Sequence, residues 1–202
     1  MDDFSQTLKA RQTILEMLSD RGYVVPPEYN ELDLETFRYL YNNKNIDIFC
    51  KEHKTSNEQI YVKFINISKI KPNIIREYIV NITEEFLKEG DVQIILVLKT
   101  KPNNSILKII KEKEYKHADI LWLSRLQLNI TQSIYVPKHM LLSNKETDEL
   151  IDIYKLNTIN QLPVISRDDP VIKYYNFKPG GVCKIVRPSK TSADHTYYRC
   201  IK

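Results

Sequence analysis

Residues 92–98 read Val-Gln-Ile-Ile-Leu-Val-Leu, an apolar run interrupted by a single glutamine. Such a run is long enough for a strand and too short for a buried helix. A strand apolar on both sides has to be covered on both faces, as happens in parallel sheets flanked by helices. The neighbouring segments agree. Pro72 suits the first turn of a helix, whose stripe is Ile75, Ile79, Ile82 and Phe86 and whose stop is Gly90. Ile46 to Cys50 and Gln59 to Ile65, rich in Ile, Val, Tyr and Phe, read as two strands of a hairpin. Ser105 to Lys113 reads as a short helix and Ile120 to Leu123 as another strand. Strand, helix, strand, helix, strand over residues 59–123 predicts an α/β layer with parallel pairing.

Ahead of that layer, Phe4, Leu8, Leu15 and Leu18 recur at helical spacing, with Ile14 beside them and Gly22 just beyond. This predicts a helix from Ser5 to Arg21. Pro26-Pro27 break the chain, and Asp33 caps a second helix carrying Leu34, Phe37 and Tyr41 on one face. Behind the layer the pattern changes. Residues 129–133 are polar, and Pro137 interrupts. Ser143-Asn144-Lys145-Glu146 is a capping box for a helix to about Tyr154. Asp169-Pro170 caps and opens another short helix. Gly180-Gly181 turns the chain into a strand from Val182 to Arg187, with Thr196 to Ile201 as its partner. The expected division is therefore an α/β domain over residues 1–127 and a small α+β module with a mixed sheet over residues 128–202. The module is marginal in size for standing alone, which suits a part that packs on a larger partner.

The sequence lacks the usual marks of an enzyme. It has no Gly-rich phosphate loop, no Gly-x-Ser-x-Gly and no His-Glu-x-x-His. One constellation bears on metal-dependent nucleases of the restriction-enzyme type, which hold Mg²⁺ between an Asp and a carboxylate-x-Lys triplet on the next strand. Here Asp47 lies on the first strand, and Tyr61-Val62-Lys63 occupies the triplet. A neutral phenol replaces the second carboxylate, and a hard divalent ion needs oxygen anions. Lys63 then reads as a solvent-facing strand lysine. The four histidines are scattered, and the three cysteines, Cys50, Cys183 and Cys200, lack the spacing of a zinc site. Free thiols in a reducing compartment are expected, with no metal and no cofactor.

Net charge is +4, too weak a field for a dedicated DNA-binding domain. The lysines nevertheless gather. Lys99, Lys101, Lys108, Lys111 and Lys113 surround the loop Lys101-Pro102-Asn103-Asn104-Ser105. A loop joining a strand end to a helix start turns unpaired backbone N–H groups outward, where phosphate oxygens can dock. Lys99, Lys101, Pro102, Asn103, Asn104 and Lys108 are therefore candidate DNA contacts.

The last third of the chain carries a series of short motifs: Val136-Pro137-Lys138-His139, Gln161-Leu162-Pro163, Arg167-Asp168-Asp169-Pro170-Val171, Lys184-Ile185-Val186-Arg187-Pro188-Ser189 and Tyr197-Tyr198-Arg199. In this order they resemble the assembly module of the fifth common subunit of eukaryotic nuclear RNA polymerases. Archaeal polymerases share that module, in a form without the N-terminal domain. Thr191 follows the same pattern, whereas Ala193 stands where the family usually has Gly, which bears on the turn there. The N-terminal half is similar to the eukaryotic form through Thr7 to Val24, with Asp20-Arg21-Gly22-Tyr23, and through Val92 to Val97 followed by Pro102. The family loop reads Thr-Pro-Ser-Ala against Lys-Pro-Asn-Asn here, so only the proline matches.

The resemblance implies a non-catalytic polymerase subunit. Its N-terminal domain would have a degenerate nuclease-like, three-layer fold and form a jaw near downstream DNA, touched weakly and through phosphates. Its C-terminal module would anchor on the largest polymerase subunit. Pro137, His139, Arg167, Asp169, Pro170, Lys184, Arg187, Tyr198 and Arg199 are the candidate interface residues, with Arg167 and Arg187 suited to charge-assisted contacts. Other polymerase subunits are expected partners, and neither a membrane nor a small-molecule substrate is. The bias toward Ile, Asn, Lys and Tyr, with four glycines, together with the looser N-terminal half, points to a divergent copy from a large cytoplasmic DNA virus of the asfarvirus kind. Its place would be the host cytoplasm and the virion; a cellular copy would be nuclear. The competing readings are a metal-dependent nuclease and a free-standing DNA-binding regulator.

Overall fold

Asp2 caps the first helix, α1 (Asp3–Asp20), by accepting from the Ser5 N–H at 3.1 Å. A computed structural model of the chain describes residues 2–56, 58–86, 92–189 and 193–202, without the side chains of Ser189, Ala193 and Asp194. The expected helix stop at Gly90 and the family position at Thr191 lie outside the described residues, as does the body of the turn that leads into Ala193. The chain divides into two units, residues 1–128 and 129–202.

In the first unit α1 ends as its Gly22 predicts. The Tyr23 N–H reaches the Leu18 carbonyl and the Gly22 N–H the Ser19 carbonyl, both at 3.0 Å, with Gly22 at φ +99°. That closure needs a residue free to take positive φ. Pro26-Pro27 do more than break the chain, because Pro27 opens a one-turn helix, α2 (Pro27–Asn30). Asp33 caps α3 (Leu34–Asn42) through the Thr36 N–H at 2.9 Å. Phe37 of α3 is fully buried and meets Phe4 of α1 at 5.3 Å between ring centroids, while Leu34 stays 64% exposed and leaves the expected apolar face.

The sheet of this unit runs in the order β1 (Ile48–Cys50), β2 (Gln59–Ile65), β3 (Val92–Leu98), β4 (Ala118–Trp122). β1 pairs antiparallel with β2, and the β2–β3 and β3–β4 pairs are parallel. α4 (Pro72–Phe86) and α5 (Asn104–Ile109) supply the crossovers. Ile75, Ile79 and Ile82 of α4 and Ile106 and Ile109 of α5 pack on Ile94, Leu96 and Leu98 of β3. Ile95 and Val97, on the other face of β3, are buried too. Both faces of β3 are therefore covered, which accounts for its unbroken apolar run.

The second unit holds a four-stranded sheet in the order β5 (Lys138–Leu141), β7 (Val182–Ser189), β8 (Ala193–Ile201), β6 (Val164–Ile165). β5–β7 and β7–β8 are antiparallel and β6–β8 is parallel, so the sheet is mixed. The hairpin of β7 and β8 follows the sequence pattern. The edge strands β5 and β6 do not, being too short to show a period of two. α6 (Asn144–Tyr154) starts with the capping box: Ser143 Oγ accepts from the Glu146 N–H at 3.3 Å, and the Glu146 carboxylate accepts from the Ser143 N–H at 2.8 Å. α7 (Pro170–Tyr175) is capped by Asp169 and lays Ile172 on Cys183, Ile185 and Ile201 of the sheet.

Candidate functional site

Asp47 lies one residue ahead of β1, and Lys63 and Tyr61 project from the same face of β2. Three donors converge on the carboxylate. Lys63 Nζ donates at 2.5 Å, Tyr61 Oη at 3.1 Å and the Phe64 N–H at 2.9 Å. Lys63 is therefore held by Asp47, which corrects the solvent-facing role expected of it. Burial pushes the Tyr61 phenol above the usual tyrosine range, and the neighbouring Asp47 charge adds to the shift. A neutral phenol donates to the carboxylate and contributes no anion of its own. Among the described residues no three of His, Cys, Asp and Glu gather to hold a metal ion. With one carboxylate, already satisfied, this arrangement clasps the segment ahead of β1 to β2.

The cysteines are equally closed. Cys50, Cys183 and Cys200 are free and buried. Burial raises the Cys50 and Cys183 thiols to about 11, well above where a thiolate nucleophile would form near neutrality.

The lysine loop is only partly available. Lys99 forms an ion pair with Asp3 of α1, so it links two elements of the first unit. Pro102 is buried and shapes the loop from within, which removes its side chain from the candidate contacts. Asn103 caps α5 by accepting from the Ile106 N–H at 3.0 Å. Lys101, Asn104 and Lys108 are exposed, and neither lysine has an ion pair among the described residues.

In the second unit the sheet's pleat separates the candidates. Successive side chains alternate between faces, so Cys183, Ile185 and Arg187 share one face and Val182, Lys184 and Val186 the other. Register puts His139 beside Ile185, Tyr197 on its far side, His195 beside Arg187 and Arg199 beside Cys183. The candidates His139, Arg187 and Arg199 thus lie on the face that α7 covers in part. Lys184 and Tyr198 pair with each other on the opposite face, where Tyr198 meets Tyr154 of α6 at 6.0 Å between ring centroids.

Several candidates hold the unit itself together. Asp169 accepts from the Val171 N–H at 2.8 Å and the Ile172 N–H at 3.4 Å, and Pro170 fills the first turn. Arg199 donates to the Val164 carbonyl at 3.1 Å, tying in β6. His139 Nδ1–H donates to the Pro137 carbonyl at 2.7 Å. Arg167 is exposed and uses its backbone N–H, at 2.6 Å from the Lys202 carbonyl, to fasten the C-terminus. The neighbouring Asp168 pairs with Lys173, at 3.1 Å.

The second unit also exposes large apolar side chains that the motifs did not single out. Ile134 is 89% exposed, Tyr135 88%, Ile153 74% and Tyr154 58%. Tyr197, part of the last motif but not one of the candidate interface residues, is 44% exposed. Strand alternation alone could have placed Tyr197 opposite in facing to Tyr198.

Comparison with known proteins gives a consistent picture. The family profile described as RNA polymerase Rpb5, N-terminal domain, matches residues 2–82, and that described as RNA polymerase Rpb5, C-terminal domain, matches residues 128–201. The lysine loop falls between the two. Among full-length relatives, DNA-directed RNA polymerases IV and V subunit 5B of Arabidopsis thaliana is 31% identical over 196 residues, covering 95% of this chain and 88% of the relative. DNA-directed RNA polymerases I, II, and III subunit rpabc1 of Dictyostelium discoideum is 30% identical over 204 residues, covering 98% of each. The corresponding subunit RPABC1 of Caenorhabditis elegans is 30% identical over 203 residues, covering 96% of this chain and 94% of the relative.

Proposed function

This chain belongs to the Rpb5 family, the non-catalytic fifth subunit of DNA-directed RNA polymerases, and on that premise we propose how it serves such an enzyme. It is a structural subunit. Residues 129–202 form the docking module, with the largest polymerase subunit as the anchor. The observation that carries this reading is the surface of the module. A unit of this size leaves Ile134, Tyr135, Ile153, Tyr154 and Tyr197 in solvent, and Arg167 and Arg187 are exposed as well. Aromatic residues and arginine are what interface centres are built from.

The first unit is the jaw, set near downstream DNA, with Lys101 and Lys108 facing phosphates. Its parallel sheet with an antiparallel edge, and an Asp–Lys pair in place of a metal site, fit a nuclease-like layer that has lost its chemistry. A mild net charge suits a subunit guided to DNA by its polymerase better than a free-standing regulator. The residue bias toward Ile, Asn, Lys and Tyr supports a divergent copy from a large cytoplasmic DNA virus, acting in the host cytoplasm and carried in the virion.

Purification of the tagged chain from its native source tests the subunit role. The expected result is co-migration with a multi-subunit polymerase at one copy per complex. A chain that elutes alone under conditions that keep the polymerase intact would overturn it.

A further inference from the structure

We propose that the open half of one sheet face in the second unit, built from His139, Arg187, His195 and Tyr197, docks an acidic, extended segment of another polymerase subunit. The inference rests on the subunit role and adds the face and the chemistry of its partner.

Two adjacent rows of the sheet define the place. His139, Ile185 and Tyr197 form one row across β5, β7 and β8, and Arg187 and His195 form the next. On the same face, Ile172 and Phe177 fill the ground over Cys183, Ile185 and Ile201. That cover ends at Ile185, which is 8% exposed, whereas Tyr197 is 44% exposed and Arg187 and His195 lie open to solvent. Packed apolar side chains thus give way within one row to open polar and aromatic ones.

The open rows contain no carboxylate, and Arg187 has no ion pair among the described residues. Directly opposite Arg187 stands His195, which cannot neutralise it. His195 and Tyr197 pack edge to face at 4.5 Å between ring centroids, making an aromatic step next to Arg187 in the sheet. His139 spends Nδ1–H on the Pro137 carbonyl, and Nε2 of the neutral ring is left to accept from a donor such as a backbone N–H of the docked segment. A guanidinium with no carboxylate partner of its own matches carboxylates, which it can grip with two parallel hydrogen bonds. Successive rows of a pleated face lie two residues apart along the strand, about 6.7 Å, which is also the spacing of same-side residues in an extended chain. The tyrosine step suits the aliphatic parts of that chain rather than bare phosphates, and the weak overall charge argues the same way.

The test uses the full chain assembled into the polymerase. A photo-crosslinker, p-benzoylphenylalanine, is placed at position 197, and the crosslinked product is mapped by mass spectrometry. The expected product is a subunit peptide containing Asp or Glu. Arg187→Glu should lower retention of the chain in the complex by about tenfold, and exchanging the mapped acid for Lys should restore it. Arg187→Gln, which adds no repulsion, should lower retention less. Arg187 is exposed, so circular dichroism should report both variants folded. A crosslink only to nucleic acid, or no crosslink, would overturn the proposal, as would an Arg187→Glu chain retained like the unaltered one. If the unaltered chain itself fails to join a polymerase, the subunit role falls and this inference with it.

Discussion

Asp47 shows how a single residue can carry the outline of a reaction and still lack its chemistry. Both of its oxygens are used, by Lys63, Tyr61 and the Phe64 N–H. Asp47→Ala should cost about 1–3 kcal/mol, because it leaves a half-buried ammonium and a backbone donor without an acceptor. A lower urea midpoint would register that loss. DNA incubated with Mg²⁺ should stay intact with either protein; cutting that depends on Asp47 would refute the non-catalytic reading. The buried thiols make a second prediction at this scale. Cys50 and Cys183 ionise near 11 when folded, against 9.0 for an ordinary thiol. The unfolded chain therefore loses these protons first as pH rises. Their contribution is complete below pH 9 and is lost between pH 9 and 11. Denaturation midpoints should fall across that window, and the native thiols should resist a thiol-specific reagent at pH 8. A native protein that reacts at once there would contradict the burial.

Elements in this chain are delimited by caps that act within a turn. Asp169 satisfies two N–H groups at the start of α7, so Asp169→Ala should cost about 1 kcal/mol and loosen the helix that covers Ile185. Gly22 closes α1 at φ +99°, and a methyl group there would meet His53 Nε2 at 2.8 Å. His53 is itself held, with Nε2 at 2.9 Å from the Arg21 carbonyl. Gly22→Ala should therefore cost about 1–3 kcal/mol through positive φ and crowding together. Thermal melts of both variants would measure this. An alanine at 22 that leaves the melting temperature unchanged would mean that the turn can rearrange. The expected helix from Ser105 to Lys113 is shorter in the fold, because α5 ends at Ile109 and the chain tightens into a 3-10 turn at Lys113–Tyr115. Short amphipathic stretches often end this way, since packing rather than propensity sustains them.

Across the whole molecule, the two units should be separable in function. Residues 129–202 bound to the largest subunit without the first unit would support anchoring by the module, and failure of that pull-down would count against it. For the proposed jaw role of the first unit, the pairing of Lys99 with Asp3 leaves Lys101 and Lys108 as the lysines to test. Lys101→Ala with Lys108→Ala should weaken the assembled polymerase on downstream DNA and lower its salt slope by about one per lost phosphate contact. Assembly itself should be unaffected. A crosslinker at position 104 that never reaches DNA, while others in the complex do, would show these lysines to be a solvated face.

Much of this architecture was written locally. The strand Val92–Leu98, the caps Asp33, Ser143 with Glu146, and Asp169 with Pro170, and the stop at Gly22 all depend on residues within a few positions of one another. Their structure follows from period, φ preference and nearby hydrogen bonds. The motif series likewise carried the family, because it lies in one continuous stretch. Other features depend on partners remote in sequence. β5 and β6 are strands because the hairpin of β7 and β8 offers them edges. Lys63 is paired because Asp47, sixteen positions earlier, folds beside it. Lys99 is drawn from the DNA candidates by Asp3, ninety-six positions away. Alternation along a strand determines that Lys184 and Arg187 face opposite ways. Which of those faces the protein covers with its own helices, and which it leaves open, is set by packing over long distances in the chain, where no local period can report it.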